Sequence, residues 1–352
     1  MIKNNSILKI NIKNIIKNYK FFKSIKKNII VAPTIKANAY GLGDKVIFNL
    51  LKNNNCKHFF VATLEEGLNL KNKNKKISIY ILNGIQNYSL KLFSENNLIP
   101  IINTLPELKK IIKTNIKFGL HIDTGINRLG VERNLINKEI FKSKNLKILI
   151  SHLASADNIK NIYNKLQKNN FEKILENVDK KNIKFSLSNS NGSVLSNSYV
   201  YDVIRPGIGL YGGHNGNKLL SSKIKHVLTL SGKIIQIKHL NKNEFVGYNQ
   251  TYKTTKKIKI AIIGIGYADG IPRLLSNKGV VYFKDEKYRI IGRVSMDSIT
   301  IDISKSKHNL KIGSYVDIFN QNYGIENFAN QCSTISNEII TSIGQRVKRV
   351  YV

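Results

Sequence analysis

The spacing of apolar positions changes three times along the chain. Residues 8–22, LKINIKNIIKNYKFF, first alternate like a strand; from about Asn11 the apolar positions Ile12, Ile15, Ile16 and Tyr19 recur with helical spacing. Short β-branched runs then alternate with helically spaced segments as far as residue 208. The runs predict a strand that starts at Ile29, is disturbed by Pro33 and ends at Lys36, followed by strands over His58–Thr63, Ile77–Asn83, Ile99–Asn103, Phe118–Asp123, Leu146–His152, Lys184–Ser188 and Val203–Ile208. Asp44–Asn54 and Leu105–Lys113 are among the helical segments between them, and Thr104 before Pro106 and Glu107 reads as a helix start. Eight strand–helix units predict an α/β fold, an N-terminal (β/α)8 TIM-type barrel. A doubly wound open sheet is the alternative, disfavoured because no G-x-G-x-x-G follows a strand at a helix start. From about Lys223 the runs become short, β-branched and separated by Gly, Asn, Asp or Lys, with helical spacing only at Asn327–Gln331 and Ser336–Ile343. This predicts a barrel over residues 1–222 and a mainly β C-terminal domain over 223–352, with the first ~10 residues open to pairing with the latter.

Composition narrows the classes. With 352 residues, 42% of them hydrophobic, the chain can bury a large core and is not a disordered one. No apolar run is long enough to span a membrane, and the lysine- and asparagine-broken N-terminal stretch does not read as a signal peptide. Cys56 and Cys332 have no metal-like spacing, which predicts two free thiols, no metal site and a cytoplasmic location. The formal net charge of +35 raises nucleic-acid binding as a function. Yet the lysines are spread along the whole chain, as in Lys253–Lys259, without a compact basic block interleaved with aromatics. That pattern predicts weak adhesion to polyanions at low salt and no specific nucleic-acid partner.

Candidate chemistry begins at Lys36, an isolated lysine at the end of a buried strand in IIVAPTIKANAYGLG. Desolvation lowers an amine's pKa, and a neutral amine attacks an aldehyde; the plainer reading is a lysine that snorkels to water. Active-site groups of a barrel collect at the C-terminal ends of its strands. Tyr40, His121 and Asp123, Arg128 in TGINRLG, His152, Asn189 and Ser190, and Arg205 and Gly207 all fall there. Ser190 with Gly192, and the backbone of Gly207 and Ile208, would make a phosphate cradle. Singly, each has a structural reading; their common placement on one rim is what points to a site. The C-terminal half adds Tyr248, Tyr267 and Met296.

VAPTIKANAYGLG, HIDTGINRLG, SHLASAD, SNS, RPGIGLYG, VGYNQTY, GIGYADG, GRVSMD and the tail TSIGQRVKRVYV together resemble the alanine racemase family, in order and in approximate spacing, from end to end. The resemblance implies a fold-type III pyridoxal 5'-phosphate enzyme: a two-base racemase of L- and D-alanine, an isomerase, supplying D-alanine for peptidoglycan. It also implies a homodimer whose composite active sites join one barrel to the partner's β domain. It makes Lys36 the Schiff-base lysine and one acid/base, and Tyr248 the opposing one. Tyr40, Ser190, Gly207 and Ile208 resemble the phosphate ligands, Arg205 the arginine facing the pyridine nitrogen, and His152 the histidine linking that arginine to the tyrosine. Arg128 and the backbone at Met296 resemble the groups that hold the substrate carboxylate, and Tyr267 and Arg293 parts of the substrate access path. A racemase or decarboxylase of another amino acid, and a cofactor-carrying barrel without catalysis, are the competing readings; carriers generally lack the β domain.

The chain departs from the family pattern at three positions. His121 stands where many relatives have a lysine, often carbamylated, that orients the counterpart of Arg128. Gln345 and Asn337 stand where C-terminal tyrosines occur, which removes one expected cofactor ligand. Arg128 then needs another acceptor: a neutral His121 nitrogen, an amide such as Asn127, or a bound anion.

Overall fold

A computed structural model describes residues 4–70, 74–178 and 182–352. The chain divides into two compact units: one covers Ile15–Lys225, and the other combines the stretch ending at Asn14 with His226–Val352. Strand β1 (Ser6–Ile10) belongs to the second unit. The helix Ile12–Ser24 follows it and buries Ile15, Asn18, Tyr19 and Phe22, one helical face.

The first unit carries β2 (Ile30–Val31), β3 (His58–Val61), β4 (Ser78–Ile81), β5 (Leu98–Ile102), β6 (Phe118–Asp123), β7 (Val131–Glu132), β8 (Leu146–Ile150), β9 (Lys184–Ser186) and β10 (Val203–Ile204). Strands β3, β4, β5, β6, β8 and β9 pair in parallel in that order. The ring closes at both ends: Asn189 bridges Arg205 beyond β9 and β10, β10 pairs β2 in parallel, and Thr34 bridges Phe60 between β2 and β3. Eight parallel strands thus form the expected (β/α)8 barrel, with β7 a two-residue appendage on β6. Pro33 shortens the first strand: the ladder skips its missing N–H, and its carbonyl accepts from Phe60 N instead.

The barrel interior is a buried cluster of Ala32, Phe60, Tyr80, Ile99, Ile101, Ile148, Ile150 and Val203, drawn from strands around the ring. Gly119 on β6 leaves them room. A Cβ there would lie 2.5 Å from Ile101 Cδ1 and 2.6 Å from Ile148 Cγ2. Strands buried on both faces need continuous apolar runs, which is why these segments read so clearly as strands.

The second unit is mainly β, as expected. It adds β11 (Leu228–Leu240), β12 (Phe245–Val246), β13 (Tyr252–Lys253), β14 (Ile258–Ile263), β15 (Val280–Phe283), β16 (Glu286–Arg289), β17 (Ile299–Asp302), β18 (Tyr315–Phe319) and β19 (Lys348–Tyr351). The 13-residue β11 is its spine, pairing antiparallel with β1, β14 and β18. Register shifts between Leu230 and Ser231 and between Ile234 and Gln236 let it bend from one partner set to the next. Strand β1 also pairs in parallel with β19, which puts the two ends of the chain side by side. Among the described residues no helix is long and apolar enough to cross a membrane, and no group of three or more His, Cys, Asp or Glu is arranged to hold a metal.

Candidate active site

Lys36 stands at the head of a backbone feature that periodicity did not signal. Residues Ala37, Asn38, Ala39 and Tyr40 all have positive φ, between 51° and 57°, and form one turn of left-handed helix. Its ladder runs from Ala39 N to Ile35 O (2.9 Å) and from Gly41 N to Ala37 O (2.7 Å). Each L-residue in this conformation costs roughly 1–2 kcal/mol, so the turn stores several kcal/mol at the mouth of the barrel. Gly41 (φ 80°) and Gly43 (φ 102°) then release the chain into the helix Asp44–Asn53. Asn38 Oδ1 secures the exit by accepting from Asp44 N at 2.9 Å. Burial lowers the Lys36 pKa, the charge of Arg128 lowers it further, and Glu66 opposes both.

Arg205 follows β10 and is buried beneath this rim. Its Nη1 donates to Ser186 O (2.9 Å) and to Ser186 Oγ; Nη2 donates to Ser151 O and, more weakly, to Leu187 O. Burial brings its pKa down to about 9, so it remains a cation at neutral pH. Nη2 also lies 3.5 Å from His152 Nδ1. That guanidinium can only donate, so Nδ1 is the acceptor and the His152 proton sits on Nε2. Burial, then Arg205 and Arg128, hold His152 well below the usual imidazole pKa, so it is neutral.

His121 is fixed in the opposite tautomer. Asn103 Nδ2 donates to Leu82 O (2.8 Å) and Ile101 O (2.9 Å), which leaves Asn103 Oδ1 to face His121 Nδ1 at 2.9 Å. The His121 proton is therefore on Nδ1, and buried Nε2 is a bare acceptor with no hydrogen-bond partner among the described residues. Burial, with Arg205 and Arg128 adding to it against Asp123, pushes its pKa down to about 3. Arg128 itself is exposed in the turn after β6, where Asp123 Oδ1 gathers Gly125 N (2.8 Å) and Asn127 N (3.2 Å). Its charge is felt at Lys36, His121 and His152 alike.

A second cluster joins Tyr40, Ser190 and Gly207. Ser190 Oγ accepts from Gly207 N (2.9 Å) and Gly209 N (3.1 Å), so both lone pairs are used and its own proton is left to donate. The 3₁₀ turn Ile208–Tyr211 begins here, and the N–H of Ile208 at its head has no intrahelical partner. Tyr40 is buried on the ring of Tyr211, centroids 5.1 Å apart, and Tyr211 Oη donates to Thr34 O. A Cβ on Gly207 would stand 2.2 Å from Tyr40 Oη. Gly192 plays a different part from the one expected: its N–H is taken by Asn189 Oδ1 at 2.8 Å, and its Cα packs on Leu153 and Ser188.

The second unit gathers the remaining candidates on a rim of its own. Tyr248 follows Gly247 (φ 74°) between β12 and β13 and is 68% exposed. The hairpin rests on the turn at Gly292–Arg293: a Cβ on Gly292 would lie 2.6 Å from Val246 O, and one on Gly247 3.3 Å from Arg293 N. Arg293 Nε is buried with no hydrogen-bond partner among the described residues. Tyr267 N donates to Ser295 O and Ala268 N to Met296 O, both at 3.0 Å, zipping the tyrosine and methionine loops together. Arg346 locks them from behind. It grips Asp269 through two 2.9 Å bonds, pairs with Asp297 at 2.6 Å and donates to Met296 O at 3.3 Å. Gln345 beside it is exposed, and Asn337 lies at the start of the helix Ser336–Thr341.

Several participants escaped the sequence. Asn103, which sets the tautomer of His121, and Ser151 and Ser186, which hold Arg205, come from neighbouring strands and leave no local trace. Glu66 did leave one, the Thr63-x-x-Glu66 capping pattern.

Comparison with known proteins places nearly the whole chain in one family. Residues 10–215 match the model of the alanine racemase N-terminal domain, and residues 227–351 that of the alanine racemase C-terminal domain. The chain is 37% identical over 358 residues to an alanine racemase of Rickettsia akari, covering 98% of both chains. It is also 37% identical to an alanine racemase of Brucella suis, covering 92% of this chain and 88% of that protein. Its structure superposes on the crystal structure of alanine racemase from Bartonella henselae with covalently bound pyridoxal phosphate, with a TM-score of 0.93, 32% identity, and coverage of 99% and 100% of the two chains. This chain belongs to the alanine racemase family.

Proposed function

We propose that the chain, a pyridoxal-phosphate-dependent isomerase that interconverts L- and D-alanine, works by a two-base mechanism with Lys36 and Tyr248 on opposite faces of the substrate α-carbon. Bound pyridoxal phosphate supplies an electron sink that makes the α-proton removable. The residues present fit that cofactor. Lys36 offers an amine whose protonation burial already disfavours. Among the described residues the Ser190 Oγ proton is uncommitted and the Ile208 N–H lies open at the head of its turn, a donor pair suited to a phosphate. Tyr40 seats its hydroxyl against the Gly207 Cα, and burial pushes its pKa up to about 12, so it too stays a neutral donor. Arg205 can only donate a hydrogen bond, so a cofactor ring nitrogen facing it would stay unprotonated, which would temper the electron sink and favour simple proton return over side reactions.

The single observation that carries the two-base reading is the Arg205–His152 pair behind Lys36. A phenol with an ordinary pKa of about 10 is a poor base at neutral pH unless its anion is stabilised. Neutral His152 has its Nδ1 turned to Arg205 and its Nε2–H free to donate, and Arg205 places a positive charge behind it. Tyr248, exposed on its own unit, is suited to reach such a donor from a second copy of the chain. The homodimer, with Tyr248, Tyr267, Arg293 and Met296 contributed by the partner, is part of this proposal, as are Arg128 and the Met296 backbone as holders of the substrate carboxylate. Supply of D-alanine for peptidoglycan, in the cytoplasm, completes it; the two buried free thiols, Cys56 and Cys332, suit a reducing compartment.

The test is a chiral assay of the purified chain with added pyridoxal phosphate on each alanine enantiomer and on a panel of other amino acids, with sedimentation to read the assembly. The proposal expects equal endpoints from L- and D-alanine, the highest kcat/KM for alanine, and a dimer. Carbon dioxide release, faster turnover of another amino acid, or full activity in a monomer would overturn it.

A further inference from the structure

The helix Leu64–Asn69 begins with a capping box in which Thr63 Oγ1 accepts from Glu66 N at 3.3 Å. The carboxylate of such a box normally returns to the N–H of the capping residue. Here that bond is long, 3.4 Å to Thr63 N, and the short bonds go elsewhere. Glu66 Oε2 accepts from Ala62 N at 2.7 Å, and Oε1 crosses to Ala37 N, also at 2.7 Å. Ala37 is the residue after Lys36 and the first of the left-handed turn. One carboxylate therefore ties the loop after β3 to the strained turn behind the amine.

The same device recurs in the next-but-one loop, and the comparison separates its two effects. Thr104 Oγ1 accepts from Glu107 N, while the Glu107 carboxylate reaches back to Ile85 N and Gln86 N (2.8 Å each) and to Asn103 N (3.1 Å). That clamp reaches the backbone of Asn103, beside His121, and no residue next to the Lys36 amine. At Glu66 the clamp is the same but the carboxylate is also felt by the Lys36 charge.

We propose that Glu66 is a positioning residue of the racemisation site, which fixes the left-handed turn behind Lys36 and balances the cationic field of Arg128 on its amine. The inference rests on the reading of Lys36 as the cofactor lysine and acid/base. Burial and Arg128 favour the neutral amine, His152 within its field is neutral, and Glu66 is the anion acting in the other direction. Without that anion Lys36 loses its proton at lower pH. Without the bond to Ala37 N the left-handed turn loses its anchor at the first residue.

The experiment uses the full-length chain with the cofactor removed. Lys36 is acylated competitively with acetic anhydride across a pH series and read by peptide mass spectrometry, in wild type, Glu66→Gln, Glu66→Asp and Glu107→Gln. Glu66→Gln is expected to move the labelling midpoint to lower pH and to raise labelling at pH 7 by about three- to tenfold. Glu107→Gln, the same structural loss without the nearby amine, is expected to leave the midpoint in place. Glu66→Asp keeps the charge and shortens its reach: its midpoint is expected to stay near wild type while kcat of the cofactor-loaded enzyme falls. An unchanged midpoint in Glu66→Gln, or equal shifts in Glu66→Gln and Glu107→Gln, overturns the proposal. Failure of the underlying reading shows separately, as cofactor-dependent activity that survives Lys36→Ala.

Discussion

Replacing Gly207 by alanine tests whether the Tyr40–Ser190–Gly207 cluster is built as tightly as it looks. The added methyl would stand 2.2 Å from Tyr40 Oη and 2.9 Å from Cζ, well inside contact distance. Tyr40 has little freedom to yield: it is buried on Tyr211, and its backbone at φ 57° ends the left-handed turn that begins behind Lys36. Overpacking of this kind costs about 1–3 kcal/mol. For a unit of this size each kcal/mol lowers Tm by about 2–4 °C. If Tyr40 donates to the cofactor phosphate as proposed, a displaced phenol loses one hydrogen bond's worth of binding, about 1.4 kcal/mol, which weakens affinity tenfold. Thermal melts of the cofactor-free chain, and absorbance titration with pyridoxal phosphate, read the two effects. Tyr40→Phe in the same background removes the closest atom, so the double mutant should regain part of the stability lost in Gly207→Ala, a coupling that a double-mutant cycle resolves. A Gly207→Ala chain with wild-type Tm and wild-type cofactor affinity would refute this account of the cluster.

Lys36→Ala should abolish both the absorbance near 420 nm of the cofactor-loaded chain and racemisation, because one amine serves both; retained activity without added amine would remove Lys36 from its role. Ser190→Ala deletes the hydroxyl donor proposed for the phosphate and should weaken cofactor affinity by about tenfold, while the loss of the acceptor for Gly207 N and Gly209 N lowers Tm; unchanged affinity in the same titration would contradict it. His121 has a folded pKa near 3 against an ordinary value of 6.5, so the unfolded chain binds the proton first on acidification. Stability from this group is complete above about pH 6.5 and is lost as pH falls towards 3, by at most about 1.4 kcal/mol per pH unit. Urea melts of wild type and His121→Asn at pH 7, 5.5 and 4.5 should therefore converge as pH falls, and parallel trends would show that His121 is not held neutral.

What could be read from the sequence follows from what each feature depends on. Strands such as FGLHID and LKILI are buried on both faces, so their apolar runs announce them whatever surrounds them. The turn Ala37–Tyr40 could not be read that way. Positive φ is usually signalled by glycine or asparagine, and here three of the four residues are neither; the conformation is imposed by the strand before it, the glycines after it and the Glu66 clamp from another loop. The histidines show the same limit. Their positions at strand ends were legible, but their tautomers are set by Asn103, 18 residues away, and Arg205, 53 residues away. The place of Gly192 in SNSNGS suggests a part in the phosphate cradle, while its N–H closes a turn on Asn189. The strand-like alternation of residues 8–10 left the first residues open to pairing with the C-terminal domain, but the choice of β19 as a partner, nearly the whole sequence away, has no local signal.

The central claim is that Lys36 and Tyr248 serve opposite faces of the substrate. Single-direction α-proton exchange in deuterium oxide tests it most directly, comparing wild type with Tyr248→Phe and starting from each enantiomer of alanine. The account predicts that Tyr248→Phe depresses exchange from L-alanine far more than from D-alanine, with dimerisation and the melting curve intact. Equal loss from both enantiomers in a folded dimer would contradict it.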